Sequence, residues 1–593
     1  MKRFSLPVAL ILMLSSSFAL GQTSATNWLT DYEKSGFKKT PRYEETMNYC
    51  RRLESASPWV KVTSFGKSPQ GRNLPLVILS KEGAFTPAQA AKSGKAILLI
   101  QNGIHSGEID GKDACLMLMR DIAITKKKSS LLDHVIVLII PIYNVDGHER
   151  FGPYNRINQD GPEEMGWRVT AQNLNLNRDY VKADAPETQA WLKLFTTWLP
   201  DFFIDTHVTD GADFQHVVTY AIETHENLSS PVREWVKEKY LPMVRAMTAG
   251  GVPIVPYIFL RDEKDPLKGL QGGSAPPRFS TSYTTLQNRP GLLIETHMMK
   301  NYKARVDGTY QLIEATLAKM NMEYKSLRAA VRLADKLTIQ GLEPPIQLEF
   351  ETADVPSDTI RYFGFRQENS VSDISGGDRI FYTREPFEAD IPRYDSVTVK
   401  KRVAAPVAYL IPQEWKEVIA RLKAHGLRLE RLTKSVQVPV EFYRFDNPKW
   451  QQAPFEGRHP VTFDLKKLKE VREFPAGTIL VPLNQRGARV AVHSLEPNAP
   501  DAFAAWGFFD AVFEQKEYAE PYVMEKLSRQ MAEKDQSILT DFEHRLSSDS
   551  AFTASPDARL NYFYKRSPYW DRQMNLYPVS RLFLTGLPTE RVR

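Results

Sequence analysis

Cysteine is scarce in this chain of 593 residues, which contains only Cys50 and Cys115. Two cysteines exclude a disulfide-built scaffold and a cysteine-rich metal site. Cys115 lies in the apolar run ACLMLM, which favours a buried free thiol over a disulfide. Excess charge is also small, with 77 basic and 71 acidic residues. A surplus of that size does not indicate a nucleic-acid-binding protein, so we expect no nucleic-acid partner.

The first 21 residues, 1–21, have the pattern of a secretory signal peptide. Lys2 and Arg3 form a basic start, an apolar stretch over 6–14 follows, and the small-residue sequence ALG completes a cleavage site. We therefore expect export to the periplasm or the medium. No later stretch approaches 18 consecutive apolar residues, so the sequence predicts no membrane span in the mature chain.

Apolar residues make up 42% of the chain and charged residues 25%, as in ordinary globular proteins. At roughly 100–200 residues per domain, the length predicts two or three folded units. Short apolar runs typical of buried strands, at 95–103, 134–144 and 291–297, alternate with helical patterns such as 112–125 and 186–198. This alternation predicts an α/β sheet with crossover connections.

The composition changes after the helical pattern that ends near residue 335. Residues 403–433 have the pattern of a strand, a helix and a strand, and helical pattern returns over 499–546. We therefore expect a catalytic domain over 22–335 and an α+β accessory domain of unknown role over 336–593. The accessory part has no cysteine and only four scattered histidines, which is poor material for a second metal site.

Four segments carry side chains typical of catalysis, and three of them come just after a buried strand. They are His105-Ser106-Gly107-Glu108, Asp205-Thr206-His207, Glu295, and a loop with Trp167-Arg168 and Asn175-Leu176-Asn177-Arg178. In an open α/β sheet, ligands bind beyond the carboxyl ends of the strands, so one shared site is predicted. Two histidines and one glutamate are the ligand set of a catalytic zinc site. The motif HExxH is absent, which excludes the thermolysin-like arrangement.

In chain order, the motifs HSGE, NVDG, WR, NLNR, DTH and IETH resemble those of the zinc carboxypeptidases of the carboxypeptidase A type. The earlier GKSPQGR resembles that family's entry segment, and the resemblance covers about residues 30–335. It implies a mixed twisted sheet flanked by helices, one Zn²⁺ per chain, and an exported bacterial enzyme. The implied substrate is a peptide or amide with a free C-terminal carboxylate, whose last peptide bond is hydrolysed.

The resemblance also implies a role for each matching residue. The implied zinc ligands are His105, Glu108 and His207; the general base is Glu295; the oxyanion is stabilised by Arg168; and the substrate carboxylate is held by Asn177 and Arg178. The chemistry agrees, since a carboxylate can take the proton of an attacking water. A planar guanidinium matches a carboxylate through two hydrogen bonds, which a lysine cannot do.

Other positions leave alternatives open. Tyr283 or Tyr257 would supply the family's substrate-loop tyrosine, and we expect Tyr283. Asp205 shares a strand face with His207, so it either orients that imidazole or is a surface or capping carboxylate. His297 shares a face with Glu295, and it either tunes the base or is simply packed there.

Two departures from the family pattern stand inside the site. Gly107 replaces an arginine between the first two ligands, at a position that contacts longer peptide substrates. Asn175 replaces an aspartate, so we expect His105 to find its outer partner, the group that hydrogen-bonds the ring nitrogen not bound to metal, elsewhere. The alternative functions are a zinc amidohydrolase acting on cell-wall peptides or acylated amino acids, and a non-catalytic binding protein with the same fold. The complete set of zinc ligands, general base and carboxylate clamp, the last formed by Asn177 and Arg178, favours an enzyme.

Overall fold

The computed structural model describes residues 28–252, 254–342 and 345–592, and the predicted signal peptide lies outside them. The strands are β1 Val60–Lys67, β2 Asn73–Leu79, β3 Ala96–Gln101, β4 Val135–Ile140, β5 Phe202–Thr209, β6 Val218–Ile222, β7 Ile254–Pro256, β8 Leu270–Gln271, β9 Gly291–His297, β10 Ile346–Thr352, β11 Asp358–Val371, β12 Asp378–Tyr394, β13 Val397–Val403, β14 Ala408–Ile411, β15 Glu430–Leu432, β16 Val436–Trp450, β17 Val461–Phe474, β18 Ile479–Pro482, β19 Ser580–Leu582 and β20 Thr589–Arg591.

The helices are α1 Asp31–Lys34, α2 Tyr43–Ala56, α3 Pro87–Ser93, α4 Asp110–Ala123, α5 Val145–Glu149, α6 Pro186–Trp198, α7 Ser230–Trp235, α8 Leu241–Ala249, α9 Ser280–Leu286, α10 Tyr302–Gln340, α11 Lys416–Ala424, α12 Ala488–Leu495, α13 Pro521–Lys534, α14 Gln536–Ser548, α15 Ser550–Ala554 and α16 Pro556–Tyr564. Short 3₁₀ turns and a π-helical turn between α7 and α8 complete the described secondary structure.

Within the described residues, eight strands form one mixed sheet in the order β1-β2-β4-β3-β5-β9-β6-β7. Its centre, β4-β3-β5-β9, is parallel, whereas β2 and β6 run antiparallel to their central neighbours. The central strands β3 and β4 are buried at every position, as expected for parallel strands covered by helices on both faces. The predicted α/β class is therefore confirmed.

Parallel pairing brings the predicted site together. β5 lies between β3 and β9, in a register that sets Gln101 opposite Asp205 and His207 opposite Glu295. The carboxyl ends of these three strands therefore meet at one edge of the sheet. This is the edge at which an open α/β sheet binds its ligands.

The two faces of the sheet are covered differently. One face packs against α4 and α10 through an apolar cluster that includes Leu116 and Leu312. The other face packs against α6 around Trp191, and this cluster continues into the second half of the chain through Tyr409 and Trp506. The two halves thus share one apolar core, and α10 runs to Gln340, past the predicted boundary at 335.

The second half contains a β-rich unit. In its described part, seven strands form an antiparallel sheet in the order β17-β16-β19-β14-β18-β15-β20. The predicted strand-helix-strand over 403–433 corresponds to β14, α11 and β15.

The helical prediction over 499–546 is right only in its second part. α13 and α14 cover most of 521–546, but 499–520 contains no more than a short 3₁₀ turn among the described residues. The chain there turns at Gly507, which has φ +76°, and buries Phe503 and Trp506 in the core that both halves share. Tertiary packing, rather than helical periodicity, shapes this segment.

The long hairpin β11–β12 reaches back to the first half. The end of β12 pairs in parallel with β8, through Arg393 opposite Leu270 and Tyr394 opposite Gln271. Gly364 of β11 forms a bridge to Phe214. This hairpin therefore stands beside the carboxyl-end edge of the main sheet. Among the described residues we find no helix of the length and apolarity that a membrane crossing requires.

Candidate metal centre and cavity

Three side chains converge at the carboxyl edge of the sheet. The Nδ1 atoms of His105 and His207 each lie 3.0 Å from Oε2 of Glu108. One ligand atom from each residue lies within 4.8 Å of the other two, and all three residues are buried. Burial opposes ionisation of Glu108, but His105 and Arg156 hold the pKa of its carboxyl well below its usual range, which keeps it a charged ligand.

Local structure places these ligands. His105 and Glu108 stand on the turn between β3 and α4, where the backbone N–H of Glu108 donates to the carbonyl of His105 at 2.9 Å. His207 lies on β5, the strand next to β3. The ligand pair on the turn therefore meets a histidine on the adjacent strand, as the motif spacing predicts.

Each histidine is held through its other ring nitrogen. Nε2 of His207 lies 3.0 Å from Oδ2 of Asp205, and Nε2 of His105 lies 3.0 Å from Oδ1 of Asn175. Of the two alternatives for Asp205, the contact with the imidazole is the one seen, since Asp205 is fully buried. The expectation that His105 has its partner elsewhere is wrong, because the amide oxygen of Asn175 accepts a hydrogen bond as a carboxylate oxygen would.

Glu108 has a second oxygen, and two arginines hold it. Oε1 lies 3.1 Å from Nη1 of Arg168 and 3.0 Å from Nη2 of Arg156. Arg156 was not predicted, because it lies in a loop without periodicity. The available signal was Gly107: a Cβ there would lie 2.7 Å from Cγ of Arg156, so the missing side chain makes room for this arginine.

Glu295 lies on β9 directly opposite His207 and is half-buried in the wall of the site. Burial raises the pKa of the Glu295 carboxyl, and the negative charge of Glu108 raises it further, while His207 lowers it. A carboxyl group whose pKa is raised toward neutrality suits proton transfer.

Asn177 and Arg178 follow Asn175 on the same loop. Asn177 uses its Oδ1 to accept from the backbone N–H of Ser280 at 2.9 Å, and the side-chain nitrogen remains as a donor. The Arg178 guanidinium lies 4.1 Å from the ring centre of Phe279 and donates to the carbonyl of Asn177 at 2.8 Å. Both residues line the same cavity as the metal cluster.

The structure does not bring Tyr283 to this cavity. Tyr283 is fully buried, and its hydroxyl lies 2.8 Å from Nδ1 of His425 and accepts from Gln287 at 2.7 Å. α9 carries the tyrosine on the face turned toward the second half of the chain. Tyr257, the other candidate, lines the cavity and accepts a hydrogen bond from Thr209 at 3.4 Å.

The side chain of His297 contacts the loop that follows β5. Its Nε2 accepts from the backbone N–H of Phe214 at 3.2 Å, and Asp213 lies 3.3 Å from the same nitrogen. His297 thus fixes the loop that follows β5, and it is fully buried there.

The cluster opens into a cavity of about 1380 Å³. The first half of the chain supplies His105, Glu108, Arg168, Asn177, Arg178, His207, Tyr257 and Glu295 to its wall. The second half supplies Thr352, Asp358, Ile360, Phe363, Arg393 and Asp395, mostly from the β11–β12 hairpin. No sequence pattern predicted that the hairpin would form part of this wall.

The three donors fit a zinc ion. Two imidazole nitrogens and one carboxylate oxygen are the donors of a catalytic zinc site with a fourth position open. Asn175 and Asp205 engage the outer nitrogens and leave both Nδ1 atoms facing Glu108. An outer partner of this kind fixes which nitrogen binds the metal.

Comparisons with known proteins agree with this site. Residues 46–237 match the model of the family described as zinc carboxypeptidase, and this region includes all three candidate ligands. Carboxypeptidase 2 of Trichophyton rubrum is 25% identical over 492 residues, which cover 79% of this chain and 84% of the relative. Carboxypeptidase A6 of Mus musculus is 29% identical over 119 residues, which cover 18% of this chain and 25% of the relative.

A solved metallo-carboxypeptidase from Burkholderia cenocepacia is similar over 47% of this chain and 69% of its own, with 16% identity and a TM-score of 0.36. The assignment depends on the sequence matches and the His-Glu-His cluster, and not on that structural likeness. Residues 46–237 of the chain thus match the zinc carboxypeptidase family, and this match, the carboxypeptidase relatives and the described His-Glu-His cluster support a zinc-dependent peptide hydrolase.

Proposed function

We propose that this protein is an exported metallocarboxypeptidase that removes the last residue of a peptide with a free C-terminal carboxylate. The observation that carries the proposal is the shared cavity. The same cavity is lined by the His105–Glu108–His207 cluster, Glu295 and Arg178. The enzyme class rests on the family match, whereas the residue roles and the exported location are part of this proposal.

His105, Glu108 and His207 would hold the metal. When bound, zinc supplies a Lewis acid that lowers the pKa of water and polarises a scissile carbonyl. Glu295 would take a proton from the water as the water oxygen bonds to the carbonyl carbon, and would then pass that proton to the nitrogen as the C–N bond breaks. Arg168, beside Glu108, donates to the oxygen on which negative charge develops.

Asn177 and Arg178 would hold the substrate's terminal carboxylate. The Arg178 guanidinium offers a planar pair of donors, and the amide nitrogen of Asn177 adds a third. Stacking on Phe279 limits the directions that the guanidinium can take. Tyr257, rather than Tyr283, is positioned to contact the substrate, because only Tyr257 reaches the cavity.

The decisive experiment compares matched peptides with free and amidated C-termini on the purified, zinc-loaded protein. We expect efficient release of the last residue from the free peptides only, because an amide leaves Arg178 without its anionic partner. Equal rates on both would contradict the carboxypeptidase proposal and favour a zinc amidohydrolase. Export is tested separately by fractionation and by N-terminal sequencing of the mature protein, which should start at Gln22.

A further inference from the structure

The loop that carries the carboxylate clamp also contacts the second half of the chain. The backbone N–H of Asn175 donates to Oε2 of Glu456 at 2.8 Å. The side chain of the same asparagine contacts Nε2 of His105 and accepts from the backbone N–H of Asn177 at 3.0 Å. Asn175 therefore links Glu456 to the candidate metal ligand His105 and to Asn177 of the clamp.

Glu456 is presented on a rigid turn. Phe455 and Arg458 exchange backbone hydrogen bonds of 2.8 and 3.1 Å across it, and Glu456 itself has φ +51°. Arg458 then pairs with Asp184 through two bonds of 2.7 and 2.8 Å, just beyond the clamp loop. A left-handed conformation is costly for a residue other than glycine, and such conformations persist where the surroundings impose them.

A second carboxylate of the C-terminal half, that of Asp501, holds another loop of the site through Arg278. Asp501 is 1% exposed, and its Oδ2 accepts from the backbone N–H of Arg278 at 2.8 Å. Oδ1 lies 2.8 Å from Nε of Arg278. Two residues later, Ser280 donates to Asn177 from its backbone and to Asp205 from its hydroxyl. Asp205 is the outer partner of His207.

We infer that Glu456 and Asp501 are positioning residues for the metal centre and the carboxylate clamp. Glu456 holds Asn175, the outer partner of His105, directly. Asp501 holds the loop whose Ser280 contacts Asp205, the outer partner of His207. The C-terminal half is thus a part of the active-site scaffold, although its described residues supply no proposed ligand or base. The part of this inference that concerns the carboxylate clamp rests on the proposed function. The part that concerns metal binding does not.

The test compares Glu456→Ala and Glu456→Gln in the full-length protein. The alanine variant loses the acceptor for Asn175, so zinc affinity should fall about tenfold, the low end of what loss of an outer partner costs. KM for N-acylated dipeptides with a free carboxylate should rise more than kcat falls. The glutamine variant keeps an acceptor oxygen and should restore most of both.

Glu417→Ala is the matched control. Glu417 contacts Arg458 of the same turn at 3.0 Å but none of the site residues, and it is largely exposed. Its loss should leave zinc affinity and KM unchanged. Asp501→Asn, which keeps an acceptor for Arg278, should behave like Glu456→Gln.

Two results would overturn the inference: Glu456→Ala with wild-type zinc affinity and KM, or an equal loss in Glu417→Ala. Zinc affinity is measured by competition with a chelator and requires no substrate. A wild-type protein that fails to cleave the dipeptides would contradict the proposed function, and the metal-binding test would still decide the inference.

Discussion

The side-chain oxygen of Asn175 lies 3.0 Å from Nε2 of His105, and a carboxylate oxygen of Asp205 lies at the same distance from Nε2 of His207. The two histidines among the three candidate zinc ligands thus have outer partners of different charge. An amide oxygen fixes the orientation of the ring, while a carboxylate also makes its imidazole a stronger donor. The contribution of Asn175 should therefore come mainly from orientation.

Asn175→Ala should weaken zinc binding by about 10–100-fold, since outer partners of metal ligands contribute on that scale. Asn175→Asp keeps an acceptor at the same position and should bind zinc at least as tightly as the wild type. Chelator competition measures both affinities. An alanine variant with wild-type affinity would show that His105 is oriented without Asn175.

His207→Ala should lose the metal. One imidazole and one carboxylate are too few protein donors for a stable catalytic zinc site, which uses three. Elemental analysis of the purified variant gives the zinc content directly. His544→Ala is the control, because His544 is exposed on α14, a helix that carries none of the site residues. Full zinc occupancy in the His207 variant would rule out the proposed ligand set.

Glu295→Gln should lower kcat by about 10²–10⁴-fold, the usual contribution of a general base. The amide keeps the shape of the side chain but accepts no proton. Zinc content should stay at the wild-type level, because Glu295 is outside the ligand triad. Steady-state kinetics with parallel metal analysis checks both, and a variant with unchanged kcat would exclude Glu295 as the base.

Arg178→Lys should raise KM more than it lowers kcat. The substrate carboxylate is present in both the ground state and the transition state, so the lost interaction is mainly one of binding. A lysine provides one ammonium group in place of a planar pair of donors and should not restore the affinity. The ratio of rates on free and amidated peptides should shrink in this variant. A ratio equal to that of the wild type would place carboxylate recognition elsewhere.

Substitutions of Tyr257 and Tyr283 should affect different properties, catalysis for Tyr257 and stability for Tyr283. Tyr257→Phe removes a hydroxyl at the cavity wall, so it should change KM or kcat with little effect on stability. Tyr283→Phe leaves His425 without its hydroxyl partner inside the core and should cost about 1–3 kcal/mol of stability. Its kinetic constants should stay near those of the wild type. Thermal or denaturant unfolding and peptide kinetics on both variants decide the assignment, and the opposite pattern would return the substrate role to Tyr283.

Much of the metal centre was predictable because its geometry is local or is set by strand order. His105 and Glu108 stand on one turn. His207 and Glu295 lie near the carboxyl ends of two buried strands, which the apolar runs in the sequence predict. Once these strands pair in parallel, their carboxyl ends must share one edge, and the register sets His207 opposite Glu295. The choice between Tyr257 and Tyr283 was not local, since it depended on which face of α9 meets the second half.

By itself, the sequence determined the α/β class, and it indicated the candidate ligands, the proposed base and the family that these motifs resemble. Only the tertiary structure decided that Arg156 fills the space at Gly107, that β11–β12 lines the cavity, and that Glu456 holds Asn175. These contacts join loops far apart in the chain, and Glu456 is 281 positions from Asn175. Hydrophobic periodicity predicts which face of a helix or strand is buried. It carries no information about which remote loop a polar side chain will meet, because that depends on how the two halves pack around their shared apolar core.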